Sequence, residues 1–120
     1  MPLAIIVEDD EDLRRLFAVA LEEVGFDLLT AGTASQAITQ LERQTPDVAF
    51  IDVSLPEYPG TDVLEYIKAT PRLADTKTII VTGNIRASGI AEELGADLFL
   101  MKPVDINKVI ELAQRLMVHH

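Results

Sequence analysis

The sequence predicts an α/β fold: an open, doubly wound parallel sheet of five strands, each followed by a helix. Three observations lead there. Short apolar runs with β-branched residues alternate five times with stretches of helical period. The runs are apolar at consecutive positions, as strands covered on both faces are, and their crossovers are therefore right-handed. Five βα units are also too few to close an eight-stranded barrel, so the sheet stays open.

LAIIV, residues 3–7, reads as the first strand. Leu13, Leu16, Phe17, Ala20, Leu21 and Val24 then recur with helical spacing and predict the first amphipathic helix. DLLTA at 27–31 is the second strand, and Ala34, Ala37, Ile38 and Leu41 mark the second helix. VAFID at 48–52 is the third strand. Val63, Leu64 and Ile67 mark a third helix that Pro71 stops. TIIVT at 78–82 is the fourth strand, followed by a short fourth helix on Ala87, Ile90, Ala91 and Leu94 that Gly95 ends. LFLM at 98–101 is the fifth strand, and Val109, Ile110, Ala113, Leu116 and Met117 stripe a fifth helix behind an Asp105 cap.

Composition narrows the class. At 120 residues the chain has room for one core. Apolar residues make up 48% of it, yet no run approaches the roughly 20 needed to cross a bilayer. The N-terminal MPLAIIV lacks the basic region and cleavage site of a secretory signal. Cysteine is absent, which excludes disulfides and thiolate metal sites. A soluble, cytoplasmic domain is expected. Twenty acidic residues against ten basic ones give a net charge of −10, so nucleic acid is not an expected partner. The domain is read as residues 1–118, with His119 and His120 as the remnant of a purification tag rather than a pair of metal ligands.

In open parallel sheets the functional crevice lies beyond the carboxyl ends of the strands. Residues at those ends are Glu8, Asp9 and Asp10, then Asp52, Thr82 and Lys102. Carboxylates, a hydroxyl and an ammonium thus line one edge. The segments IIVEDDEDLRR, PDVAFIDVSLPEYPG, TIIVTGN and GADLFLMKPVD, in order and over nearly the whole chain, resemble those of two-component response-regulator receiver domains of the chemotaxis-receiver kind. No single motif carries the likeness; the ordered set does.

The resemblance implies a flavodoxin-like strand order 2-1-3-4-5. It makes Asp52 the phosphoacceptor and Glu8 and Asp9 an acidic pair that, with Asp52 and the carbonyl of Ser54, holds Mg²⁺. Thr82 and Lys102 become the hydroxyl and lysine that contact the phosphoryl group, and Thr82 with Phe99 the switch. It implies a signalling switch that catalyses its own phosphoryl transfer and dephosphorylation, not an enzyme acting on others. Its partners would be a histidine kinase or histidine phosphotransfer protein, and a target or second copy on the face of the fourth helix, fifth strand and fifth helix.

The chemistry is consistent with those roles. Phosphoryl transfer needs positioning and neutralised oxygens, which carboxylates alone oppose and a hard divalent cation supplies. Without metal, crowded carboxylates should raise one carboxyl pKa. Lys102 can pair with Asp52 before modification and with the phosphoryl group after it.

Each residue alone has a plainer reading. EDDED suits a solvated helix N-terminus, Asp52 a turn cap, Thr82 an ordinary strand position, Lys102 the surface and Phe99 the core. Only their joint placement favours the site. The likeness implies a cis bond between Lys102 and Pro103, while base rates favour trans. The chain departs from the family pattern at Glu8, where aspartate is frequent, and at Pro59 and Gly83. The interval from Thr82 to Lys102 is about two residues short for the family, which predicts a trimmed fourth helix or preceding loop. Ser54 and Asn84 stand where the family tunes the phosphorylated lifetime. An aspartyl phosphatase would need a second acid where Ser54 sits. A flavin site would need a polar phosphate loop in place of EDDED, and no GxxxxGK loop is present. The alternative that survives is a docking module of the same fold that phosphorylation does not regulate.

Overall fold

A computed structural model describes residues 2–53, 60–83, 89 and 92–118. Its elements are β1 (Leu3–Val7), α1 (Glu11–Glu23), β2 (Asp27–Ala31), α2 (Ala34–Leu41), β3 (Val48–Asp52), α3 (Gly60–Ala69), a 3₁₀ turn (Pro71–Leu73), β4 (Lys77–Thr82), β5 (Leu98–Met101) and a C-terminal helix (Ile106–Val118). All strand pairings are parallel, and the order is β2-β1-β3-β4-β5, as expected. Most of the expected fourth helix, including Ala87, Ile90 and Ala91, lies outside the described residues; Glu92 and Glu93 are helical, and Gly95 follows with a left-handed φ of 89°. Ser54, Pro59, Asn84, His119 and His120 also lie outside them.

Helices cover both faces of the sheet, because successive strand side chains point to opposite sides and both sides are apolar. Ile5, Val7, Ala49, Ile51 and Ile80 face Ala34, Ala37 and Leu41 of α2 and Val63, Leu64 and Ile67 of α3. Ala4, Ile6, Phe50, Ile79 and Leu100 face Phe17 and Leu21 of α1 and Val109, Leu112 and Ala113 of the C-terminal helix. Phe17 and Phe50 meet edge to face with centroids 5.7 Å apart, an arrangement the ring quadrupoles favour.

Local chemistry sets the element ends. Asp10 accepts from the backbone N–H groups of Asp12 and Leu13 at 3.0 and 3.2 Å and caps α1. Thr33 caps α2 through the N–H of Gln36, and Asp105 accepts from the N–H of Asn107 at the head of the C-terminal helix. β4 starts at Lys77, one residue earlier than expected, because Lys77 pairs with Val48 across the sheet. One member of the predicted α1 stripe is misplaced: Leu16 is 49% exposed. It flanks the stripe, whose centre is Phe17, Ala20 and Leu21. Leu112, outside the predicted stripe of the last helix, is buried.

Candidate functional site

β1 and β3 are neighbours, and the register Ile6↔Phe50, Val7↔Ile51 carries Glu8 and Asp52 to the same edge. The acids meet there. Carboxylate oxygens of Glu8, Asp9 and Asp52 lie within 4.8 Å of one another. Glu8 and Asp52 are each only 2% exposed, while Asp9 faces solvent. Glu8, Asp52 and Lys102 share strand parity with Ile6, Phe50 and Leu100, which is why alternation sends them to one side.

Lys102 arrives one residue beyond β5, where its N–H donates to the carbonyl of Thr82 at 2.9 Å. Its Nζ donates to Asp52 Oδ2 at 2.8 Å and stands 3.3 Å from Glu8 Oε1. The bond between Lys102 and Pro103 is cis, as the resemblance implied and against the base rate. Burial acts to lower the Lys102 pKa, but the hydrogen bond to Asp52 and the charges of Asp52 and Glu8 outweigh it, so the ammonium titrates above its ordinary range.

Glu8 is the strained member of the group. Its Oε2 accepts from the N–H of Asp10 at 3.2 Å, but its fully buried Oε1 has no hydrogen bond. Burial, first, and then the adjoining carboxyls of Asp52 and Asp9 push its pKa from 4.5 up to about 8. The sequence led to a raised carboxyl pKa from crowding. The structure assigns it to Glu8 and makes burial the larger cause.

The remaining residues are distributed as follows. Thr82 is fully buried, one position past Val81, the register partner of Asp52, and on the opposite strand face. Phe99 is half-buried against the α2 and α3 side of the core, away from the acids. Within EDDED the plainer reading holds for Asp10, Glu11 and Asp12, which cap and begin α1, and only Glu8 and Asp9 join the cluster. Arg14 had no role in the sequence reading, yet its Nη1 donates to the main-chain carbonyl of Glu8 at 2.8 Å. Its position in EDDEDLRR carries no signal for that bond, since an arginine in the second turn of a helix ordinarily faces water.

The donor set fits a hard divalent cation. Three carboxylates converge, one with a buried oxygen that makes no hydrogen bond and has the Lys102 ammonium 3.3 Å away, and oxygen ligands of this kind suit Mg²⁺ better than softer metals.

The sequence model of the response regulator receiver domain matches residues 4–114. This chain belongs to the response-regulator receiver family. The receiver is 35% identical over 114 residues to the probable transcriptional regulatory protein TcrX of Mycobacterium tuberculosis, covering 91% of this chain and 47% of that one. It is 31% identical to an uncharacterised 14.6 kDa protein of Leptolyngbya boryana, covering 92% of this chain and 86% of that one. Among solved structures it is similar to a CheY-like receiver domain from Methanospirillum hungatei, at a TM-score of 0.88 and 30% identity, with 98% and 95% of the two chains covered. This receiver spans about half the length of curated relatives such as TcrX. Among the described residues no helix is long and apolar enough to cross a membrane.

Proposed function

We propose that this receiver domain accepts a phosphoryl group from a phosphohistidine donor onto Asp52, with Mg²⁺ at the acidic cluster, and that the modification switches partner binding. The observation that carries the reading is the joint placement of Asp52, Glu8, Asp9 and Lys102 at one mouth. Asp9 and Asp52 would hold the metal directly, with the carbonyl of Ser54 as a third ligand and Glu8 through water. When bound, Mg²⁺ supplies the positive charge that neutralises the oxygens of the transferring group.

The chain's own residues do the rest. A carboxylate oxygen of Asp52 attacks phosphorus, a P–O bond forms as the P–N bond to the donor imidazole breaks, and the electron pair returns to the ring, giving an acyl phosphate. Lys102, kept protonated by Asp52 and Glu8, stays at the mouth and pairs with the phosphoryl oxygens after transfer. The Thr82 hydroxyl turns toward the new oxygens and couples the chemistry to β4. Phe99 has no polar atom to strand, so it moves further inward as the second switch element. Hydrolysis of the acyl phosphate at the same site resets the switch. A histidine kinase or phosphotransfer protein supplies the phosphoryl group. The face around β5 and the C-terminal helix docks a target or second copy, nucleic acid is not held by this domain, and the setting is the cytoplasm. Residues 1–118 form the domain.

Incubation with Mg²⁺ and a small-molecule phosphodonor, followed by intact mass measurement, tests this. The expected result is one added phosphoryl group that is absent without Mg²⁺ and absent in Asp52→Asn. No mass increase in the parent protein would leave a docking module that phosphorylation does not regulate.

A further inference from the structure

We propose that Arg14 is a positioning residue for the metal-binding acids, and that Gly32 provides the space in which it works. The inference rests on the reading of the acidic cluster as a Mg²⁺ site.

Residue 8 is held from three directions. Its N–H donates to the carbonyl of Ala31 at 3.0 Å, its side-chain Oε2 accepts from the N–H of Asp10, and its carbonyl accepts from Arg14 Nη1. The first two contacts engage backbone that any sequence would offer. The third depends on one side chain. That carbonyl belongs to the peptide unit joining Glu8 to Asp9, and the plane of this unit sets how the two acids diverge, Glu8 inward and Asp9 toward solvent. Rotating it moves both carboxylates relative to Asp52. Mg²⁺ tolerates little departure from octahedral geometry, so such a rotation registers in metal affinity.

Arg14 is half-buried, and among the described residues it forms no ion pair; the Glu8 carbonyl is its anchor. Its guanidinium crosses over Gly32. A Cβ at residue 32 would lie 3.0 Å from Nη1 and 3.7 Å from Cζ. The backbone does not explain a glycine at this position, because Gly25 and Gly95, not Gly32, have left-handed φ values. Room for the guanidinium does. An alanine here would displace only the far end of a flexible side chain, which has space to retreat into the open cleft of about 240 Å³ lined by Glu11, Arg14, Arg15, Ala18 and Thr30. Arg14 can therefore be moved without removing its charge and with little effect on the fold.

The chain has no tryptophan, so calorimetric titration with MgCl₂ is the suitable readout, paired with urea unfolding of the metal-free protein. Arg14→Ala is expected to weaken Mg²⁺ binding by about tenfold, in the range of other residues that orient metal ligands. Gly32→Ala, which makes the guanidinium give way by a few tenths of an ångström, should show a smaller loss in the same direction while its metal-free unfolding midpoint stays that of the parent. The double variant should bind no more weakly than Arg14→Ala alone, since with the arginine gone the added methyl has no guanidinium to displace. Arg14→Lys should recover part of the affinity. Unchanged Mg²⁺ affinity in Arg14→Ala and Gly32→Ala, or strictly additive losses in the double variant, would overturn the inference. Failure of the parent protein to bind Mg²⁺ at all would overturn the reading of the site, and this inference with it.

Discussion

Glu8 is a carboxyl group shut away from water beside two others, and its pKa of about 8 couples the site to stability. The unfolded chain releases this proton near the ordinary 4.5, while the folded, metal-free protein keeps it to about 8. Between those values the folded state binds more protons, so stability falls as pH rises. Below pH 4.5 Glu8 imposes no such loss, and above pH 8 the loss is complete. Chemical denaturation of the metal-free protein should show a decline on the order of 2 kcal/mol across this window, moderated by Lys102 and by solvent at the mouth. Glu8→Gln should flatten the profile, and saturating Mg²⁺ should stabilise the parent more at pH 8 than at pH 5, because the cation replaces the proton. A metal-free profile that is flat or rises with pH would contradict the burial of Glu8.

Among elements, α1 shows how one acidic run serves two purposes. Asp10 lies between the cluster and the helix, and its side chain satisfies two N–H groups that the first turn leaves unpaired. Asp10→Ala should lower stability by about 1 kcal/mol, read from the urea midpoint, with Mg²⁺ affinity unchanged. A large loss of affinity would mean that the cap and the metal site are not separate. The helix stripes were legible because period 3.6 is written directly in apolar spacing. Their edges were not: Leu16 was placed in the stripe and is exposed, and Leu112 was left out of one and is buried, since burial at a stripe's margin depends on the tilt of the helix against its neighbours. The 3₁₀ turn after Pro71 was also hidden. Its Arg72 donates to the carbonyls of Leu41 and Gln44 and to the hydroxyl of Thr45, tying the end of α2 to this turn through contacts about 30 residues distant in the chain.

Across the whole molecule, the acids and the lysine come from the ends of β1, β3 and β5, and Lys102 ties Asp52 to β4 as well, because its N–H donates to the carbonyl of Thr82. The fold connects them rigidly: β3, β4 and β5 are consecutive neighbours in a sheet buried on both faces. Under the proposed function, phosphorylation of Asp52 would bias two arrangements of the molecule's β5 side rather than deform it gradually. Amide exchange with and without a phosphoryl mimic should differ in β5, the segment before it and the C-terminal helix, while β1 and β2 stay as protected as before. Equal protection in those regions would count against a switch.

The sequence by itself determined the five strands to within one residue, four of the helices and the sheet edge at which the acids gather, because alternation, helical period and strand polarity are local properties. The resemblance supplied the strand order and the roles proposed for the site residues, which spacing alone leaves open. Only the tertiary structure decided that Glu8 and not Asp9 is buried, that Lys102 bridges both buried acids, and that Arg14 reaches back over Gly32 to the Glu8 carbonyl. Those facts depend on dielectric surroundings and on angstrom distances between segments far apart in the chain, and no window of neighbouring residues encodes either.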